Sequence, residues 1–290
     1  MAAHTLALLA ALCFALGTVL QQRSTLETTA DEGDPRFLRQ ILRRPVWLAG
    51  AGFQSAGWIL QATALDRGSL IVVQSLTQLS LVLALPLGAR LTGQQLSRRV
   101  WAGAFAMVAG VVLLLSAGSP QGGIDTPSRE AWLAAGGSAT VCIGVLVLLG
   151  RRRRGATRAL MLGCAAGVSY AMQASVTKVF VTLVGSGVVT LLTSWTTYVL
   201  VTSALVGFAL QQAALKTGVL APAMGSANAT TLFVSVLFGV TIFHETLAGG
   251  SGRVVGVIGL LIAIVGVSLL AGAEGPPAPD VATRPASTRA

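Results

Sequence analysis

The chain has 290 residues, of which 53% are hydrophobic and only 10% charged, and its mean hydropathy is +0.76. Soluble globular domains carry about 25% charged residues, so this composition excludes an ordinary soluble domain and indicates a protein embedded in the bilayer. The net charge of +10 would suggest nucleic-acid binding in a soluble protein. Here the positions of the basic residues give it a topological explanation, and we expect no nucleic-acid partner.

Apolar segments of nearly 20 residues, the length that a helix needs to cross about 30 Å of hydrocarbon, recur along the chain. We name them spans 1 to 9, at about 4–21, 46–65, 69–89, 100–118, 131–149, 158–178, 189–210, 218–243 and 254–272. Span 1 has no Lys or Arg before its apolar core, so we interpret it as a membrane helix rather than a signal peptide. The sequence predicts an all-α polytopic membrane protein of about nine transmembrane helices.

Two polar segments interrupt or follow the spans. In loop 22–45, the stretch 36–44 has apolar residues on one helical face and arginines at its flanks, which is typical of a helix lying on an anionic leaflet. The sequence leaves open whether this loop hides a further membrane segment. The Pro- and Ala-rich tail 273–290 is predicted to be disordered.

The chain contains two related halves. An offset of 150 residues aligns Gly57/Gly207, Gln61/Gln211, Ala64/Ala214, Leu65/Leu215, Gly68/Gly218, Leu70/Leu220 and the polar pair Gln78/Asn228. An offset of 156 aligns Phe14-Ala15 with Tyr170-Ala171, Gly103 with Gly259 and Gly110 with Gly266. We therefore predict a first repeat over 4–118, a linking helix over 131–149 and a second repeat over 158–272.

Charge predicts that the two repeats are inverted. If the N-terminus is outside, the outer side holds, of the 20 Lys and Arg residues, only Arg67, Arg129, Lys178 and Arg253. Span 5 then makes corresponding spans cross in opposite directions. We expect a multi-pass protein of the cell membrane, with its N-terminus outside and its C-terminus in the cytoplasm. Inverted repeats are typical of alternating-access transporters, whose site lies between the repeats.

The residues that enzymes use are sparse. The two histidines, His4 and His244, lie at ends of spans, and no carboxylate pair or phosphate-binding glycine loop is present. The cysteines Cys13, Cys142 and Cys164 lack metal-ligand spacing. We expect no enzymatic activity and no cofactor.

Uncharged polar side chains inside the spans are the candidates for a binding site. They are Gln54, Gln61, Gln74, Gln78, Gln173, Gln211, Gln212, Asn228, Thr230 and Thr231. An unpaired amide in hydrocarbon costs several kcal/mol, so each should face another helix or a water-filled cavity. The predicted substrate-binding set comprises Gln78, Asn228, Gln74, Thr230, Gln173 and Pro222. Gln78 and Asn228 lead this set because the repeat makes them equivalent, and Pro222 joins it as a kink in span 8.

Charged residues and glycines near the span ends have two interpretations each. Glu245 is a candidate metal or proton ligand at the outer mouth, although a helix-end charge in the interface is the favoured interpretation. Lys178 is predicted to extend to the outer headgroups. The glycines of spans 4 and 9, including Gly103, Gly110 and Gly259, predict either a homodimer face or packing within the chain.

Taken together, these residues resemble the drug/metabolite transporter superfamily (EamA-like) over nearly all of 4–272. The similarity rests on Tyr170-Ala171 leading to Lys178, on 214–222, on the glycine-rich 256–266, and on Phe238 to Glu245, which looks like that family's glutamate closing the fourth helix of a repeat. Most members have ten helices, and a nine-helix layout resembles the NIPA-type magnesium transporters more closely. Arg90 stands near where the first repeat should have its glutamate, and the proline expected near Val72 is missing.

The resemblance implies a secondary transporter that moves a metabolite, or Mg²⁺, by alternating access. Mg²⁺ binds oxygen ligands and keeps several waters, but the lack of an acidic residue at the midplane makes it the weaker choice. The alternative from another class is a non-transporting membrane scaffold. The scaffold predicts that Gln78 and Asn228 bond to each other or to neighbours around a filled core, whereas transport predicts a water-accessible cavity.

Overall fold

A computed structural model of the chain describes residues 2–26, 44–92, 97–120, 123–215, 217 and 220–271. These residues are mostly helical and contain no β-strand. Residues 27–43, which are most of the loop 22–45 and include 36–43 of its predicted amphipathic stretch, lie outside the described residues, as does the whole of the tail 273–290.

Each of the nine predicted spans contains helix among the described residues. In chain order the helices are α1 (Ala2–Leu26), α2 (Pro45–Arg67), α3 (Leu70–Thr77), α4 (Ser80–Thr92), α5 (Arg98–Ser116), α6 (Arg129–Arg151), α7 (Gly155–Thr182), α8 (Val188–Thr193), α9 (Trp195–Leu215), α10 (Leu220–Thr241) and α11 (Ser251–Ala271). By length and composition, eight helical stretches among the described residues can cross a membrane, with α3 and α4 counted as one. α2, with 23 residues, matches the remaining predicted span and is less apolar because it carries glutamines and glycines. The prediction of an all-α polytopic membrane protein is confirmed.

The sequence explains where several of these helices begin. Pro45 is the first residue of α2, where its missing N–H leaves no hydrogen bond unmade. Ser69 caps α3, since its hydroxyl accepts a hydrogen bond from the Val72 N–H at 3.0 Å. Ser97 caps α5 and Ser128 caps α6 in the same way. Such caps contribute about 1 kcal/mol each to helix stability.

Two spans that the sequence predicts as continuous are divided. Span 3 breaks at the turn formed by Gln78 and Leu79, where the Leu79 N–H bonds to the Leu76 carbonyl three residues back. Span 7 breaks at Ser194, between α8 and α9. Broken helices at membrane depth are tolerated where the backbone is buried in protein or lines a cavity, so the break in span 3 marks a place to look for a site.

The two halves make the same ring contact at equivalent positions. A Cβ added to Gly57 of α2 would lie 2.7 Å from a ring carbon of Phe14 of α1. A Cβ added to Gly207 of α9 would lie 2.7 Å from a ring carbon of Tyr170 of α7. In each half, therefore, a glycine lets the second helix pack directly against the aromatic ring of the first.

The glycines of spans 4 and 9 bring α5 and α11 together within one chain. Gly110 faces the backbone of Ala263, and Gly266 faces the backbone of Met107. The 156-residue offset relates Gly110 to Gly266 and Met107 to Ala263, so each contact is the counterpart of the other. A two-fold relation between the halves would produce this pattern. These glycines therefore serve an intramolecular contact, and a homodimer through the outer faces of α5 and α11 stays a prediction.

Helix α7 lies at the centre of the bundle, packed by α6, α9 and α10, and most of its residues are buried. α6, where the sequence predicts the linking helix, is mostly exposed, as a lipid-facing helix would be. A polar space lies beside α7.

Candidate functional site

A cavity of about 340 Å³ lies among α1, α2, α3, α7 and α10. We call it the central cavity. Both halves of the chain line it: the first supplies Phe14, Gln54, Trp58, Gln61, Gln74, Thr77, Gln78 and Ser80, and the second supplies Tyr170, Gln173, Ala174, Thr177, Asn228 and Thr231. On α1, α2, α7 and α10 these residues lie well inside the helix, away from its ends. The cavity is therefore near the middle of the bundle and between the two predicted repeats.

The structure brings four of the six predicted substrate-binding residues to this cavity. Gln74, Gln78, Gln173 and Asn228 line it. Thr230 does not, because it packs against α7, where a Cβ on Gly167 would lie 2.7 Å from the Thr230 Cβ. Thr231, the next residue on α10 and about 100° further round the helix, lines the cavity instead.

The side chain of Pro222 lies outside the part of the chain that the structure describes. Along the backbone of α10, Pro222 is six residues before Asn228, which is about 9 Å at 1.5 Å per residue. Its predicted role as a kink in span 8 stays a prediction.

Aromatic residues are the main feature of the cavity that sequence reasoning missed. Phe14, Trp58 and Tyr170 form part of its wall, and the Phe14 and Trp58 rings meet edge to face with centroids 6.2 Å apart. In a membrane helix, aromatic residues are indistinguishable from core residues by hydropathy. The repeat gave the available signal, because Phe14 and Tyr170 are equivalent, as Gln78 and Asn228 are.

The amides of the cavity differ in how well they are satisfied. Gln78 follows the last residue of α3, and its Nε2 donates a hydrogen bond to the main-chain carbonyl of Asn228 at 3.0 Å, which joins the two halves. The Gln54 Nε2 donates to the Thr18 hydroxyl at 3.1 Å. Gln74 is 3% exposed, and its Nε2 is buried without a hydrogen-bond partner among the described residues. A buried, unpaired donor costs about 1–3 kcal/mol, which an acceptor in the cavity would recover.

The central cavity is electrically neutral. Its described lining consists of amides, hydroxyls, aromatic rings and one alanine, with no Asp, Glu, Lys, Arg or His. No group of three or more His, Cys, Asp or Glu side chains suited to a metal ion occurs among the described residues. The cavity is therefore built for hydrogen bonding and ring contact rather than for binding charge.

A buried ion pair lies closer to the bundle end where α1 begins and α2 ends. The Lys178 Nζ is 3.1 Å from the Glu245 Oε1, and the two residues are only 4% and 2% exposed. The Glu245 carboxylate also accepts hydrogen bonds from the N–H groups of Leu70 and, at 2.9 Å, Ile71. It therefore caps the first turn of α3, where the helix dipole favours a negative charge. The Lys178 ammonium lies 4.8 Å from the centre of the Phe243 ring.

This pair corrects two expectations from the sequence. Glu245 is not an interfacial helix-end charge, and Lys178 does not extend to the headgroups. After α10 the chain turns back at His244, whose φ of 52° is left-handed, and the Glu245 N–H bonds to the Gly239 carbonyl at 2.9 Å. That turn directs the carboxylate inward. The Lys178 ammonium already balances the charge of the Glu245 carboxylate, so the interaction that this carboxylate makes in the structure is an ion pair.

Comparison with known proteins supplies a family. Over 244 residues, which are 82% of this chain and 83% of the relative, the chain is 32% identical to the uncharacterized protein Cgl0250/cg0304 of Corynebacterium glutamicum. The chain belongs to the family of that protein. No protein-family model and no solved structure matches it. The shared stretch is about twice as long as one predicted repeat, so the relationship extends over both halves of the fold.

Proposed function

We propose that the chain is a membrane transporter that moves a small, uncharged, polar solute by alternating access, with the solute bound in the central cavity. One observation carries this proposal. A neutral cavity of about 340 Å³ between the two halves is lined by Gln74, whose buried Nε2 has no hydrogen-bond partner among the described residues. Inverted-repeat transporters bind their substrates between the repeats in this way.

The chemistry of the lining supports an uncharged substrate. A charged solute entering the cavity would lose its hydration without meeting an opposite charge, and burying an uncompensated ion is costly. A neutral solute with carbonyl or hydroxyl groups can bond to the Gln74 and Gln173 amides. Its apolar or planar part can pack against Trp58 and Tyr170. The volume is at the lower end of the 300–1,000 Å³ typical of small-molecule sites, which favours a small metabolite.

Alternating access requires two rigid groups of helices that move relative to each other. The Gln78–Asn228 hydrogen bond crosses between the halves next to the break in span 3, so a rocking motion would change this contact directly. The resemblance to drug/metabolite transporters of the EamA-like type agrees with this mechanism and is part of the proposal. The location in the cell membrane, with the N-terminus outside and the C-terminus in the cytoplasm, rests on the charge distribution.

The alternatives fit the cavity less well. A NIPA-like Mg²⁺ transporter would need oxygen ligands, which the amides offer, but the described lining contributes no carboxylate to balance the ion. A scaffold accounts for the Gln78–Asn228 hydrogen bond. It does not account for a cavity beside that bond or for the unsatisfied Gln74.

A ligand panel tests this function. Purified protein is screened for thermal stabilisation by neutral polar metabolites, by charged metabolites and by MgCl₂, and a stabilising solute is then tested for uptake into proteoliposomes. We expect stabilisation and uptake with a neutral solute, and the loss of both in Gln74→Leu. Stabilisation by Mg²⁺ or by charged solutes alone would contradict the proposal.

A further inference from the structure

A second cavity, of about 410 Å³, lies at the end of the bundle where α1 begins and α2 ends. We call it the vestibule. Its lining differs from that of the central cavity because it carries charge: Ala3, His4, Asp66, Arg67, Gly68, Ser69, Val72, Pro120, Asp125 and Lys178. By charge distribution, this end of the bundle is the one predicted to face outside.

The vestibule and the central cavity are separated by a thin layer of protein. On α3, Val72 lines the vestibule and Gln74 lines the central cavity, with the fully buried Val73 between them. On α7, Lys178 lines the vestibule and its neighbour Thr177 lines the central cavity. The two cavities are therefore consecutive along one path through the bundle.

The Lys178–Glu245 pair holds this layer in place. Glu245 binds the first two N–H groups of α3, and Lys178 joins the same carboxylate to α7. The pair thus fixes the start of α3, in the first half, to α7 and to the turn after α10, in the second half. Lys178 is the one group that both belongs to the pair and faces the vestibule.

Residues at the end of the first repeat and just after it cover the pair. The Ile124 N–H donates to the Phe243 carbonyl, and the Ala248 N–H donates to the Gly118 carbonyl, both at 2.7 Å. Gly123, at a φ of 110°, allows this segment to lie against Glu245, where an added Cβ would be 3.0 Å from the Glu245 Cγ. These two hydrogen bonds keep the ion pair covered, and both join the chain around the end of the first repeat to the second repeat. A rocking motion between the repeats would break them.

We propose that Lys178 and Glu245 form the gate between the vestibule and the central cavity, and that separating them opens the central cavity to the vestibule side. This proposal rests on the proposed function in that it treats the central cavity as the transport site. In the closed state the two charges compensate each other. Removing one charged side chain leaves the other buried and unpaired, which raises the free energy of the closed state. Opening the gate lets water reach the remaining charge and lowers that free energy.

Cysteine labelling of intact cells tests the gate. In a chain whose Cys13, Cys142 and Cys164 are replaced by alanine, a reporter Ala174→Cys lies in the central cavity about one turn from Lys178. A membrane-impermeant maleimide is added outside. Ser186→Cys, at an exposed site beyond α7, shows that this side is reached. Ser175→Cys, fully buried beside the reporter and outside the cavity lining, reports loosening of the fold.

We expect slow labelling of Ala174→Cys with the pair intact. Glu245→Gln or Lys178→Met should each accelerate it about tenfold, the change that a shift of about 1.4 kcal/mol in the closed–open equilibrium gives. The double variant Lys178→Met/Glu245→Gln leaves no unpaired charge, so the labelling of Ala174→Cys should be nearly as slow in it as with the pair intact. Ser175→Cys should stay unlabelled in every background.

Three results would overturn the gate. They are rapid labelling with the pair intact, unchanged rates in both single variants, and a rise at Ser175→Cys that matches the rise at Ala174→Cys. Failure of the proposed function is distinguishable. In that case Ala174→Cys is labelled from neither side of the membrane, including the opposite side in inverted vesicles.

Discussion

Replacing Gln74 with leucine should stabilise the protein while abolishing solute binding. The Gln74 Nε2 is buried and has no partner among the described residues, and such a donor costs about 1–3 kcal/mol. Leucine removes that donor and places an apolar side chain on the fully helical α3, whose residues are all buried. Allowing for imperfect packing, we expect a net gain of about 1–2 kcal/mol, with thermal midpoints rising by roughly 2–4 °C for each kcal/mol.

Gln78→Leu is the matched control for this prediction. It makes the same chemical change four residues away on the same cavity wall, but it removes a hydrogen bond to the Asn228 carbonyl. An interhelical hydrogen bond of this kind contributes about 0.6 kcal/mol, so Gln78→Leu should lower the midpoint slightly. The assay is thermal unfolding of both variants in the same detergent, without added solute. Equal destabilisation by the two substitutions would refute the reasoning that Gln74 is held unsatisfied for a ligand.

Further predictions concern packing, the ion pair and magnesium. Gly110→Leu should lower stability by more than about 2 kcal/mol because α5 and α11 would separate, whereas Gly136→Ala, which faces open space, should change it little; thermal unfolding measures both. Gly57→Ala and Gly207→Ala should destabilise by similar amounts, about 1–3 kcal/mol, since each displaces an aromatic ring; unequal losses would contradict equivalent packing in the two halves. Glu245→Ala should cost about 3–5 kcal/mol in the same assay because it leaves Lys178 buried and unpaired, and a loss under 1 kcal/mol would contradict the buried pair. Adding EDTA should leave the thermal midpoint unchanged, and a clear fall would indicate a bound divalent cation.

The repeat made part of the site predictable from sequence. Gln78 and Asn228 are equivalent under the 150-residue offset, and a two-fold relation between the halves brings equivalent positions near the axis together. The structure joins them by a hydrogen bond between the Gln78 side chain and the Asn228 backbone. Hydropathy likewise predicted the nine helical regions, because about 20 apolar residues are what a membrane crossing requires.

Other features depend on contacts that no local pattern encodes. Glu245 bonds to Leu70, 175 residues earlier, and to Lys178, 67 residues earlier. Each charge by itself, at the end of an apolar run, is typical of an interfacial anchor, and only the packed bundle shows that they meet. The choice between Thr230 and Thr231 depends on about 100° of helix rotation, which span boundaries uncertain by a few residues do not fix.

Two-sided labelling of Gln78→Cys in sealed vesicles tests most directly whether the central cavity is a transport site. Ser75→Cys, fully buried on α3 three residues earlier and outside the cavity lining, is the control. We expect Gln78→Cys to react with an impermeant maleimide from either side of the membrane and to be protected by a stabilising solute, while Ser75→Cys stays unreactive. If Gln78→Cys is unreactive from both sides, the core is closed to water and the chain is not a transporter of this kind.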